Sequence, residues 1–99
     1  MKSGEGINVI RKEGVIMPKC EFYDTENLDG YFSGIMYLMV ENKKYILDFG
    51  YDIEFGKLKL MNCNNPIYNS NGEYYTNEEL ENVKMIYADV ILMEIRNYV

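Results

Sequence analysis

The chain has 99 residues, a formal charge of −6 and no histidine. Without imidazole it builds neither a Ser-His nor a Cys-His nucleophilic pair, and most zinc sites are closed to it. Its 47% hydrophobic content suffices for one small cored domain, and its ten Lys and Arg are too scattered for a direct grip on nucleic acid.

Residues 1–16 differ in composition from the rest of the chain. They hold Gly4, Gly6 and Gly14, and their bases Lys2, Arg11 and Lys12 outnumber Glu5 and Glu13. Arg11-Lys12-Glu13-Gly14 is also encodable by a purine run resembling a bacterial ribosome-binding site just before Met17. The expectation is a leader or non-native extension over 1–16 and a single globular domain over 17–99. The rival reading makes Ile7-Asn8-Val9-Ile10-Arg11 a first strand. No signal-peptide cleavage pattern is visible, and the longest apolar stretch, Gly34 to Val40, falls far short of the roughly 20 residues that span a bilayer. A cytoplasmic, non-membrane protein is expected, with Cys20 and Cys63 as reduced thiols.

From Lys19 the pattern is mostly strand. Cys20–Tyr23 is a short candidate, followed by a polar loop over Asp24–Gly30. Tyr31–Val40 is apolar on both alternating faces, as a doubly covered strand is. Glu41-Asn42-Lys43 is a turn, and the next strand sets Tyr45, Leu47 and Phe49 against Lys44, Ile46 and Asp48. After a connection over Gly50–Gly56, Lys57–Cys63 alternates with Leu58 and Leu60 inward. Asn69-Ser70-Asn71-Gly72 signals a turn, and Thr76 with Glu79 fits a capping box. Beyond it, β-branched and aromatic residues favour a strand over 84–96, leaving a short helix at 77–82. The predicted class is therefore mainly β, a small α+β fold: an antiparallel sheet or partial barrel of about five strands with one short helix. The alternative is an antiparallel sheet covered by a long C-terminal helix over 77–97.

Several motif-like strings dissolve on inspection. Asp48-Phe49-Gly50 spells a kinase metal-binding triplet, but the chain has no glycine-rich or catalytic loop, so it reads as a strand end followed by a turn glycine. Thr25, Asn27, Asp29 and Gly30 echo a calcium loop, yet Met36 stands where the bidentate Glu belongs. Asp52 and Glu54 share a strand face and read as a solvated edge. No catalytic residue, metal ligand or cofactor site emerges.

What remains is tyrosine, ten in all. Tyr68, Tyr74 and Tyr75 lie in a turn-rich stretch beside Glu73, Glu78, Glu79 and Glu81, and an acidic patch with interleaved aromatics suits a basic protein partner. These seven are the candidate partner-binding residues of a non-enzymatic inhibitor or regulator. Small size, acidity and missing chemistry are shared with immunity proteins, antitoxins and phage-encoded inhibitors, a likeness of composition alone. The alternative function is a small-ligand or nucleotide-sequestering domain, oligomeric in some form, with Lys43, Lys44, Lys57 and Lys59 as its cations.

Overall fold

A computed structural model describes residues 18–99. The leader reading of 1–16 and the strand reading of Ile7–Arg11 lie outside the described residues. Four strands follow one another as an antiparallel meander: β1 (Lys19–Leu28), β2 (Tyr31–Val40), β3 (Lys43–Asp52) and β4 (Lys57–Asn62). A single helix, α1 (Asn77–Tyr98), closes the chain. The antiparallel sheet with one helix is the small, mainly β architecture expected, with four strands among the described residues where about five were anticipated.

The sheet is covered on both sides. Register pairs Phe32 with Tyr51, Met36 with Leu47 and Phe49 with Leu60, which puts all six on the face beneath α1. The opposite face carries Ile35 and Ile46, which pack with Cys63, Tyr23, Tyr37 and Tyr68. The segment leaving β4 covers part of this second face in place of a second helix, so β2 is buried on both sides at Ile35 and Met36, while Tyr31 at its start stays exposed.

The C-terminal third corrects the expected short helix at 77–82 and strand at 84–96. Thr76 Oγ1 accepts from the Glu79 N–H at 3.1 Å, and Glu79 Oε1 accepts from the Thr76 N–H at 2.8 Å, so the capping box starts the helix as read. The helix then continues for 22 residues. Its periodicity buries Leu80, Val83, Ile91 and Ile95 against the sheet. Each such burial is worth roughly 1.5–3 kcal/mol, whereas a β-branched residue disfavours helix by no more than about 0.7 kcal/mol. Packing therefore overrides local strand preference, and the covering helix of the alternative reading is the one that forms.

Two further readings shift. The expected loop over Asp24–Gly30 belongs largely to β1, where Asp24 (φ 50°) and Thr25 bulge opposite Gly34 before pairing resumes at Glu26. Gly50 lies inside β3 rather than at a turn, and Tyr31 crosses directly over it. The turn after β3 is instead held by Asp52 Oδ1, which accepts from the Phe55 N–H at 3.1 Å. Asp52 therefore closes a turn, and Glu54 projects from it into solvent. No described helix is long and apolar enough to cross a membrane.

Candidate functional site

The segment between β4 and α1 carries most of the expected site, and two asparagines determine its path. Asn62 substitutes for a pairing strand: its Nδ2 donates to the Tyr75 carbonyl at 2.9 Å and its Oδ1 accepts from the Tyr75 N–H at 2.7 Å. Asn69 is buried and donates to the carbonyls of Cys63 and Glu73 while accepting from the Glu73 N–H. These side chains satisfy main-chain groups that an irregular covered segment would otherwise leave unpaired.

This path separates the seven candidate residues. Tyr68 turns onto the second sheet face, where its ring stands 5.3 Å from that of Tyr23 and its carbonyl accepts from the Tyr37 hydroxyl at 2.9 Å. Desolvation, then the nearby Asp24 carboxylate, pushes the Tyr68 hydroxyl pKa up. Tyr75 is half-buried on the other side, 5.4 Å from Tyr45, with its hydroxyl pKa raised chiefly by burial. Both tyrosines are structural wedges, on opposite faces of the sheet. Glu79 is occupied by the capping box, and Glu81 reaches Lys84 at 3.7 Å. Tyr74, 58% exposed, stays in solvent with Glu73 and Glu78 near the start of α1.

The sequence reading missed what lies beyond them. Along the outward side of α1, Met85 is 76% exposed, Ile86 67% and Met93 49%. At helical spacing they share this side with Glu78, Asn82, Asp89 and Arg96, opposite the buried Leu80, Val83, Ile91 and Ile95. The signal was present in the sequence, because three large apolar side chains fall off the buried stripe once 77–98 is drawn as a helix. Assigning 84–96 to a strand hid them by folding Met85 and Met93 into the core face.

A concavity of about 440 Å³ lies between the β2–β3 turn and the Ile67–Glu73 segment, lined by Tyr37, Lys43, Lys44, Tyr68, Asn71 and Glu73 among others. The Lys44 ammonium stands 4.6 Å from the Tyr37 ring centre, and that of Lys43 lies 5.2 Å from Tyr45 and 5.6 Å from Tyr75. Among the described residues neither lysine has a carboxylate within ion-pairing distance.

The remaining reactive groups are muted. Burial, then Glu94, pushes the Cys20 thiol up to about 12. Cys63 is fully enclosed on the opposite face, its pKa likewise raised by burial. Asp48 sits beside Cys63, and desolvation raises its carboxyl pKa despite a hydrogen bond from the thiol. No group of three or more His, Cys, Asp or Glu capable of holding a metal stands together among the described residues. Compared with protein-family models, curated proteins and solved structures, the chain matches none.

Proposed function

We propose that this is a cytoplasmic, non-enzymatic binding protein that blocks or regulates a basic protein partner, of the immunity, antitoxin or phage-inhibitor kind. The docking surface is the outward side of α1 together with Tyr74 and Glu73 at its entry. One observation carries the reading: Met85 and Ile86 stand largely in solvent on a helix whose other face already fills the core, with Glu78, Glu81 and Asp89 around them. Methionine and other large apolar side chains at the centre with charge at the rim is the composition of a protein interface. The carboxylates select a basic partner and speed its approach, and the apolar side chains supply the anchor.

The test compares the wild-type chain with Met85→Ser/Ile86→Ser and with Glu78→Lys/Glu81→Lys against the partner captured from the producing cell. The first variant should weaken binding at least tenfold, about 1.4 kcal/mol, and the second should slow association and flatten its salt dependence. Unchanged affinity in both removes this face from the account.

A second reading, the nucleotide-binding domain, is favoured by the 440 Å³ concavity, where the Lys44 ammonium stands over the Tyr37 ring. Its volume falls within the range of small-molecule sites. A nucleotide bound there would raise the melting temperature by mass action, and Lys43→Ala/Lys44→Ala would abolish that rise. The helix-face reading ranks first because this concavity is open and mostly polar-lined, and the Glu73 carboxylate in its wall would repel a phosphate.

A further inference from the structure

The two edges of the sheet carry opposite charge. Along β4, Lys57, Lys59 and Lys84 outnumber the single carboxylate, Asp52, in a groove of about 670 Å³ that Leu58 and Leu92 also line. Along β1, Glu21 and Glu94 line a smaller one of about 370 Å³ beside Cys20 and Phe22. Neither strand has a second strand neighbour among the described residues.

We propose that these edges recognise each other between copies of the chain, with β4 of one copy pairing antiparallel to β1 of the next. Their main-chain directions agree. Lys84 Nζ donates to the Leu58 carbonyl at 3.4 Å, so Leu58, and by alternation Leu60, turn their N–H and C=O away from β3. On β1 the Tyr23 carbonyl lies against Gly34 of β2, so Cys20 and Phe22 turn theirs outward. Setting Leu58 opposite Phe22 of the second copy, and Leu60 opposite Cys20, aligns two outward-facing pairs, and both retain their helix-side orientation.

The free lengths agree as well. Asn62 is already bonded to Tyr75, which leaves Lys57–Met61 on β4, where the long Lys84 contact to the Leu58 carbonyl would be shared with or yield to the incoming strand. The first stretch of the β1 ladder runs from Lys19 to Tyr23, where the Asp24–Thr25 bulge interrupts it. In this register Lys59 faces Glu21, with Lys57 toward the Glu26 side, and under the helices Lys84 approaches Glu94. Lys19 falls opposite Met61, so no like charges meet directly. Edge lysines usually deter strand addition. Here they deter β4 from pairing with another β4, as the β1 carboxylates deter β1 from pairing with β1, and only the unlike pairing is left unopposed. A head-to-tail contact of this kind closes into a ring or continues as a filament.

Sedimentation velocity on the full chain over rising concentration reads the result directly. Wild type should grow beyond a dimer, and growth should weaken as salt is raised. Lys59→Glu and Glu21→Lys should each sediment as monomers, and mixing the two should restore assembly, which neither unfolding nor loss of solubility would mimic. A wild-type chain that stays monomeric at every concentration overturns the proposal. So does a dimer that survives both substitutions, or assembly abolished by Met85→Ser/Ile86→Ser but indifferent to the edge charges.

Discussion

The Asn69 side chain bonds the main chain of Glu73 in both directions, with Nδ2 donating to its carbonyl at 3.0 Å and Oδ1 accepting from its N–H at 3.1 Å. With a further bond to the Cys63 carbonyl at 2.8 Å, one buried amide anchors the segment that seals the second sheet face. Asn69→Ala should therefore destabilise by about 2 kcal/mol or more, because three main-chain groups lose their partner at once. Urea denaturation measures this, and a loss below about 0.5 kcal/mol would show the segment held by other means.

The two faces of α1 should respond differently to truncation. Ile91 is fully buried and Ile86 is 67% exposed. Ile91→Ala should cost about 2–5 kcal/mol, and Ile86→Ala should stay within about 0.5 kcal/mol. Equal costs would mean that Ile86 is also packed, and the proposed docking face would lose its centre.

Gly34 and Gly50 both lie mid-strand under close neighbours, yet they should not be equally sensitive. A Cβ at Gly34 would meet the Tyr23 carbonyl at 2.9 Å and the Thr25 Cα at 3.0 Å, main-chain atoms fixed by the β1 bulge. At Gly50 the obstacle is the Tyr31 hydroxyl end, which belongs to a side chain 42% exposed and free to swing aside. Gly34→Ala should lower stability by about 1–3 kcal/mol and Gly50→Ala by clearly less, as judged from denaturation midpoints.

Asp48 should give stability a specific pH dependence. Burial raises its folded-state pKa above that of the unfolded chain, with the Cys63 thiol opposing in part. The native state then binds this proton more tightly, so the contribution favours folding at low pH and is lost as pH rises through the folded pKa. Relative to Asp48→Asn, wild type should gain stability as pH falls from neutrality into the carboxyl range. Parallel urea midpoints for the two proteins across that range would contradict the assignment.

Both thiols should be silent in the folded protein. Cys63 is fully buried, and the Cys20 pKa near 12 leaves essentially no thiolate at neutral pH. Maleimide labelling of Cys63 should proceed only as fast as the chain opens, that of the half-buried Cys20 should be slow for want of thiolate, and both should accelerate sharply in urea. Prompt native-state labelling of Cys63 would mean that its cover is loose, and prompt labelling of Cys20 would mean that its thiol ionises more readily than its surroundings imply.

Much of the sheet was legible because strand alternation is a local signal: Tyr45, Leu47 and Phe49 face α1, and Leu58 and Leu60 turn inward as their spacing requires. Thr76 and Glu79 announced the helix start for the same reason. The helix length was not legible, since Ile86, Val90 and Ile91 locally favour strand and the sheet face that selects helix is built by residues far away in sequence. Nor was the division of the tyrosines. Tyr68 and Tyr75 lie seven positions apart in similar polar surroundings, and only the bonds from Asn62 and Asn69 send them to opposite faces.

A basic partner docked on the outward side of α1 should be visible to methyl NMR of a methionine-labelled chain. Titrating the captured partner should shift Met85 and Met93, which stand in solvent, and leave Met36, fully enclosed beneath the helix, in place. Shifts confined to methionines elsewhere, such as Met39 or Met61 on the second sheet face, with Met85 and Met93 unmoved, would contradict it.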